Sequence, residues 1–290
     1  MSARLHRVKD HGVMPWTTTH DPGEFLAAAG GFVRSRLVEH NVILSIIARL
    51  PRAGRPGPGE PPLLGWWAEE PGPQGAFIAT AGFPLAVTPM PDQALDELAD
   101  TLVPPLLGIG AQAGAAWRFA RRWQERTGAS ASVHRRQRLY RLGQLAPADP
   151  PPPGRARQAA DADRDLLHAW HDAFLAELGS TSIRDVPAQV ADRLGYGGLV
   201  LWEARGVPVS VAGRTQVTAG ICKVAPVYTP PQQRGHGYGT AATAAVTRHA
   251  IETGAPEVLL FTDATNPVTN SIYQRLGYRP AEDRLILTFT

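Results

Sequence analysis

The chain predicts an α/β fold with a mixed sheet, laid out as one element order used twice in succession. Three observations carry this expectation. Apolar strand-like runs alternate with amphipathic helical segments through both halves. A proline run, Ala148-Asp149-Pro150-Pro151-Pro152-Pro153-Gly154, separates two parts of nearly equal length, and such a run joins neither a helix nor a central strand. An alternating glycine series, Arg234-Gly235-His236-Gly237-Tyr238-Gly239-Thr240, stands at a strand-to-helix turn of the second part and has no counterpart in the first. The expected division is a first domain over 1–146, a Pro-rich linker over 147–154 and a second domain over 155–290.

In the second part, Leu166, Leu167, Trp170, Phe174 and Leu178 recur at three- and four-residue steps, which predicts a helix over Asp161–Leu178. A short helix follows over Val186–Leu194. Strands are expected at Gly198–Ala204 and Val207–Val211, joined by a turn at Arg205-Gly206, and at Val217–Thr229. The glycine loop then opens a helix over Thr240–Thr253, closed by Gly254 with Pro256 beyond it. Glu257–Thr262 is a short continuous apolar run, as a buried parallel strand requires. A helix over Pro267–Leu276 has Asn266 as N-cap, Pro267 at its first position and Gly277 as its stop. Leu285–Phe289 is a last strand.

The first part gives a similar order with weaker signals. Helices are expected over Pro22–Ala29, Phe32–Ala48, Pro91–Leu102 and Ala115–Thr127. Strands are expected at Leu63–Glu69, Gln74–Ala81, Pro84–Thr88, Leu106–Ala111 and Arg136–Leu142, with Pro51–Pro62 as a loop. The turn before Pro91 has no glycine series, so this half reads as a degenerate copy.

Composition narrows the class. A hydrophobic content of 43% with 19% charged residues describes a soluble globular chain. The pI of 9.3 accompanies a net charge of only +3, and Lys9 and Lys223 are the sole lysines. That arginine excess reads as a coding bias, and with no basic run interleaved with aromatics nucleic acid is not expected as a partner. Cys222 stands alone, which excludes a disulfide and cysteine-based metal sites and fits a reducing cytoplasm. Met1–His20 has no apolar core of the signal-peptide kind, and no run approaches the ~18 apolar residues of a membrane span. A cytoplasmic protein without membrane contact is expected.

Three glycines alternating at a strand-to-helix turn let the backbone approach a ligand with no Cβ in the way. The helix then offers free amides and the positive end of its dipole to an anion, which suits a pyrophosphate. A dinucleotide-binding unit would also need a glycine turn and a later acid, and Asp263 stands where that acid would. The series here is R-G-x-G-x-G and not G-x-G-x-x-G, and too little chain follows Asp263 to complete a parallel sheet.

From Val227 to Gly239 and again from Asn266 to Tyr278 the sequence resembles the Gcn5-related N-acetyltransferase (GNAT) superfamily, in its pyrophosphate loop and its later Asn-to-Tyr helix. The whole chain, with its degenerate first copy, resembles tandem-domain members of the type found in actinobacteria. The resemblance implies two GNAT-like domains and an acetyl-CoA-dependent N-acetyltransferase that acts by direct attack of an amine in a ternary complex. Two parallel strands would splay, and Val227, Tyr228 and Thr229 would offer main-chain groups to the pantetheine arm. Arg234, Gly235, His236, Gly237, Tyr238, Gly239 and Thr240 would hold the pyrophosphate of coenzyme A. His236 departs from the family's usual Arg or Lys between the first two glycines, which removes a permanent charge. Asn266 and Asn270 would contact the cofactor, and Tyr273 would protonate the departing thiolate. These three stand at i, i+4 and i+7 and so are expected on one helix face, although Asn266 also suits a plain helix cap and Tyr273 a half-buried aromatic.

The general base is open. Val217–Thr229 carries no acid, where the family often has one, and His171, Glu177 and Glu203 are the candidates. His168 lies near His171, but no third ligand suggests a metal. A small-molecule amine is the expected acceptor. The first domain is expected to complete the pocket, to mediate contacts in a homodimer, or to stabilise the second domain. A non-catalytic acyl-CoA-binding regulatory protein is the competing reading, favoured by the missing acid and opposed by Tyr273.

Overall fold

The computed structural model describes residues 16–50, 61–146, 150–179 and 185–290. Residues 51–60 of the expected loop, 147–149 of the expected linker and 1–15 of the amino-terminal segment lie outside the described residues. In chain order the elements are β1 (Trp16–Thr19), α1 (Pro22–Ser35), α2 (Asn41–Ile47), β2 (Leu63–Glu69), β3 (Gly72–Ala79), β4 (Leu85–Val87), α3 (Asp92–Thr101), β5 (Gly108–Gln112), α4 (Ala113–Thr127) and β6 (Ala131–Leu142). Then follow β7 (Arg155–Gln158), α5 (Arg164–Glu177), α6 (Val186–Gly195), β8 (Leu199–Ala204), β9 (Val207–Arg214), β10 (Ile221–Tyr228), α7 (Tyr238–Glu252), β11 (Glu257–Asp263), α8 (Pro267–Arg275) and β12 (Tyr278–Phe289). Both halves thus share the order β-α-α-β-β-β-α-β-α-β, which is the expected repeated order with an unexpected short strand, β1 or β7, added at the start of each.

The chain forms two compact units that are not consecutive in sequence. The described residues of the first fall within Met1–Arg138, Asp263–Thr265 and Glu282–Thr290, and those of the second within Leu139–Thr262 and Asn266–Ala281. The strands β6 and β12 are each divided between units. The expected division at 147–154 therefore describes the element order and not the compact units, because the last strand of each copy serves both.

In the first unit β1, β2, β3 and β4 are antiparallel neighbours, β4 and β5 are parallel, and β12 pairs antiparallel with β5 from Arg284↔Gln112 to Thr288↔Gly108. Its core joins Trp67, Phe77 and Ile109 of the sheet to Leu95 and Leu98 of α3, Phe119 and Trp123 of α4, and Leu285 and Leu287 of β12. Helix α1 runs through Gly30-Gly31, where a break is expected, since Phe25, Ala29 and Val33 form one buried stripe that crosses the pair.

In the second unit the strand order is β6-β11-β10-β9-β8-β7, with β10 and β11 parallel and β7 to β10 antiparallel. Alternation along β8 sends Leu199 and Leu201 to a cluster with α5 and α6, and Val200 and Trp202 to a cluster with α7. Arg205 and Gly206 both have positive φ, 54° and 78°, as a tight hairpin turn between β8 and β9 needs. Strand β10 starts only at Ile221, not at Val217, because Ala219 and Gly220 form a left-handed turn closed by reciprocal Thr218–Ile221 bonds of 2.9 Å. The described part of the proline segment packs within this unit. Pro153 accepts a hydrogen bond from the Trp202 indole at 3.2 Å, and Arg155–Gln158 adds a strand to β8.

Candidate functional site

The site is built where β10 and β11 end. Their parallel ladder runs from Ile221↔Glu257 to Lys223↔Leu259, and among the described residues no further pair joins them, although they continue to Tyr228 and Asp263. Pro226 has no N–H to donate, and the register of β10 against β9 shifts between Val224 and Val227. Pairing with β9 then resumes at Val227↔Ala212 and Tyr228↔Val211. One edge of β10 is thus held while the other is left open beyond Lys223. Ser210, fully buried on β9, fixes the strand end: its hydroxyl donates to the Tyr228 carbonyl at 3.0 Å and meets Thr229 Oγ1 at 2.9 Å.

The glycine loop follows at once. Gly235 and Gly237 have φ of +80° and +79°, a region that costs any residue with a Cβ about 1–2 kcal/mol. Gly237 is the N-cap of α7 and supplies no side-chain cap, and the first intrahelical bond runs from Ala241 N to Gly237 O. The amides of Tyr238, Gly239 and Thr240 therefore have no acceptor among the described residues. A Cβ on Gly239 would meet Thr229 Oγ1 at 3.0 Å, so glycine lets the start of α7 sit directly on the end of β10. These features fit a diphosphate: open amides at a helix N-terminus, no Cβ, and a positive dipole end.

Arg234 braces the loop. Its Nε donates to Thr229 O at 2.9 Å and its Nη2 to Glu177 at 2.6 Å, at the end of α5. Glu177 is thus an ion-pair partner and half-exposed. His236 is exposed, stacks on Tyr238 with centroids 5.4 Å apart, and contacts Gln233 O at 3.4 Å. Glu203 is buried between Arg157 at 2.5 Å and Arg155 at 3.5 Å; the hydrogen bond from Arg157 holds its carboxyl below the usual range. A carboxylate so held is a poor base.

Helix α8 separates the three residues expected on one face. Asn266 is not in the helix: it is the N-cap, with extended φ −89° and ψ 100°, and its Oδ1 accepts from Val268 N at 3.1 Å and Thr269 N at 3.2 Å. The helical spacing rule does not apply to a residue with that backbone, and Asn266 is exposed. Asn270 is buried, its Oδ1 accepting from the Tyr140 hydroxyl at 2.8 Å and its Nδ2 donating to Asn266 O at 2.6 Å. Its polar groups are committed inside the protein. Tyr273 lies half-buried with its ring 6.2 Å from both Tyr140 and Tyr278, and its hydroxyl has no hydrogen-bond partner among the described residues. Desolvation pushes its pKa up to about 12. Tyr273 is thus held as a neutral phenol among aromatic neighbours, and the side chain of Asn270 bonds inward.

On the sheet face covered by α5 and α6 lies a small cavity. Leu167, Trp170 and His171 of α5 and Val190 and Arg193 of α6 form one wall; Leu199, Val211, Pro226 and Tyr228 form its floor. His171 is buried, and Trp170 packs on Tyr228 with ring centroids 6.2 Å apart. Among the three candidate bases, His171 alone reaches a cavity floored by the open end of β10. Cys222 is fully buried on β10, bonds to Thr215 O at 3.3 Å, and has its pKa raised by desolvation, all contrary to a nucleophilic role. Among the described residues no cluster of three or more His, Cys, Asp or Glu can hold a metal ion, and no helix is long and apolar enough to cross a membrane.

Ser210, Tyr140, Trp170 and Arg193 had no local signal in the sequence. Ser210 and Tyr140 act through partners on other strands and helices, and the other two gain meaning only once α5 and α6 fold over β10.

Residues 163–278 match the model of the acetyltransferase (GNAT) family. Among solved structures, a GCN5-related N-acetyltransferase from Sphaerobacter thermophilus is similar at 16% identity over 96% of both chains, with a TM-score of 0.60. A GNAT-family acetyltransferase from Colwellia psychrerythraea is similar at 11% identity over 94% of this chain and 98% of its own, with a TM-score of 0.59. A GCN5-related N-acetyltransferase from Kribbella flavida is similar at 21% identity over 74% of this chain and 86% of its own, with a TM-score of 0.52. At these identities the likeness is one of fold. No curated protein sequence matches the chain.

Proposed function

From the match of residues 163–278 to the acetyltransferase (GNAT) family we propose that the protein transfers an acetyl group from acetyl-CoA to the amine of a small molecule, by direct attack within a ternary complex. The observation that carries this reading is the uncapped start of α7, opened by two left-handed glycines beside the parted ends of β10 and β11.

Bound acetyl-CoA supplies the activated acyl group. The amides of Tyr238, Gly239 and Thr240 hold its diphosphate, with Arg234 keeping the loop shut against Thr229 and Glu177. The open edge of β10 at Val227 and Thr229 offers main-chain groups to the pantetheine arm. Asn266 caps α8 and keeps its Nδ2 available as a donor, whereas Asn270 positions the helix.

Tyr273 acts on the leaving sulfur. A thiol has a pKa of about 8.5, so moving a proton fully from a phenol at about 12 to the thiolate is uphill by roughly 5 kcal/mol. Tyr273 therefore serves as a neutral hydrogen-bond donor that stabilises the sulfur's developing charge, while the thiolate takes its proton from solvent. The amine proton leaves through His171, the imidazole in the cavity floored by Pro226 and Tyr228.

Calorimetric titration of the full chain with acetyl-CoA tests the cofactor reading, and absence of binding rejects it. Thiol release with an amine panel separates a catalyst from a cofactor sensor. Tyr273→Phe is expected to lower kcat about 10²-fold or more with acetyl-CoA affinity kept; unchanged turnover would remove the role given to that hydroxyl.

A further inference from the structure

Tyr273 sits between two other tyrosines whose hydroxyls are already taken. Tyr140, on β6, and Tyr278, at the start of β12, are fully buried in the second unit, each with its ring 6.2 Å from that of Tyr273. From this we infer that Tyr140 is a positioning residue for acetyl transfer. Delivered by the last strand of the first sequence half, it fixes the turn of α8 that bears Tyr273 and leaves the Tyr273 hydroxyl free for the leaving sulfur. This inference rests on the role given to Tyr273 above and adds the residue through which that role is set.

Three features lead to it. The first is a shared anchor: the Tyr140 hydroxyl donates to Asn270 Oδ1 at 2.8 Å and accepts from Gln274 Nε2 at 3.2 Å. Asn270 and Gln274 stand one turn apart on α8 and bracket Tyr273, so a single phenol oxygen ties down both ends of that turn. Asn270 Nδ2 extends the chain of bonds to the N-cap, donating to Asn266 O at 2.6 Å. The second is ring packing. The Tyr273 ring meets Tyr140 at 54° and Tyr278 at 72°, tilted and edge-on contacts at a separation where aromatic pairs attract. The third is saturation. Tyr278 pairs its hydroxyl with Thr247 Oγ1 of α7 at 2.6 Å, and Tyr140 gives its single O–H to Asn270. Neither is bonded to Tyr273, whose hydroxyl is the one left unpaired of the three among the described residues.

Loss of this anchor should therefore act on the sulfur and not on the rest of the cofactor. A hydrogen bond from Tyr273 favours thiolate over thiol, so it lowers the pKa of bound coenzyme A below the ~8.5 of a free thiol. Affinity for coenzyme A should then rise with pH through that lowered value and level off above about 8.5. Acetyl-CoA has no thiol to ionise, so comparing the two ligands cancels titration of the protein itself, His236 included. Around Tyr273 the titratable groups are Tyr140, Tyr278 and, beside Tyr278, Cys222; burial raises both Tyr278 and Cys222.

Calorimetric titration of the full chain with coenzyme A and with acetyl-CoA, at about pH 7 and about pH 9.5, tests this without any acceptor. The unmodified protein is expected to gain at least about fivefold in affinity for coenzyme A relative to acetyl-CoA over that range, as a thiol pKa lowered by ~1 unit gives. Tyr273→Phe should abolish the gain. Tyr140→Phe should lose most of it while acetyl-CoA affinity stays within about twofold, and Gln274→Ala, which removes one bond to the same phenol, should lose part. With an amine that turns over, Tyr140→Phe should lower kcat with KM kept, and should lower it no further when added to Tyr273→Phe. A gain undiminished in Tyr140→Phe, or equal losses of affinity for both ligands, would overturn the inference alone. Should Tyr140→Phe fail to bind acetyl-CoA, Gln274→Ala decides by the same comparison. A gain that survives Tyr273→Phe, no gain in the unmodified protein, or failure of that protein to bind acetyl-CoA would bring down the parent reading as well.

Discussion

At the scale of single residues, Tyr273 gives the sharpest expectation for pH. Desolvation raises its phenol, so the neutral form persists until about pH 12. Turnover should consequently show no alkaline loss near pH 10, where an ordinary tyrosine ionises; a kcat profile that falls there would contradict the environment described. Burial likewise pushes the Cys222 thiol up. Native protein at pH 8 should resist alkylation at Cys222, with labelling seen by mass spectrometry only after denaturant unfolds the chain. The glycines differ by cause. Gly237→Ala places a Cβ at φ +79° and should weaken acetyl-CoA binding by about 1–2 kcal/mol, or some five- to thirtyfold, by calorimetry. Gly239→Ala acts by contact instead, pressing on Thr229 Oγ1 at 3.0 Å.

At the scale of elements, α8 shows what two asparagines do when one caps and one anchors. Asn266→Ala removes the acceptor of two amides and should cost about 1 kcal/mol in denaturant unfolding. Asn270→Ala removes the acceptor of the buried Tyr140 O–H, which keeps only the bond it accepts from Gln274, and should cost about 1–3 kcal/mol, with acetyl-CoA affinity falling only in step with stability. A loss of affinity at unchanged stability would return Asn270 to the cofactor. Much of this helix was legible beforehand: Asn266-Pro267 marked its start and Gly277 its end through backbone rules that need no tertiary contact. The direction of Asn270 was not legible, since its partner Tyr140 lies in the other sequence half. Likewise, the glycine loop announced itself through φ requirements alone. The parting of β10 from β11 depended on Pro226 and a bulge against β9, and the cavity depended on where α5 and α6 came to rest.

At the scale of the whole molecule, the exchange of terminal strand segments governs stability. Leu285 and Leu287 of β12 are buried in the core of the first unit. Ending the chain after Ala281 removes both, along with the β5–β12 ladder, and should cost at least about 4 kcal/mol, a large share of a typical domain's stability. Limited proteolysis should then cleave within residues 63–127 first; an unchanged digestion pattern would show that the strand is dispensable. This arrangement is hidden from sequence reading because strand pairing between Leu287 and Ile109 is non-local, while the repeated element order is local and legible except for the short edge strands β1 and β7, whose four residues carry no periodicity of their own. The exchange also fixes a timetable for biosynthesis. A ribosome emits every residue of the second unit before it reaches the closing strand of the first, so the earlier-made half must wait, incomplete, for its final piece. Chaperone demand should accordingly peak late in translation, and splitting the gene at its proline run would leave each product short of a strand carried by the other.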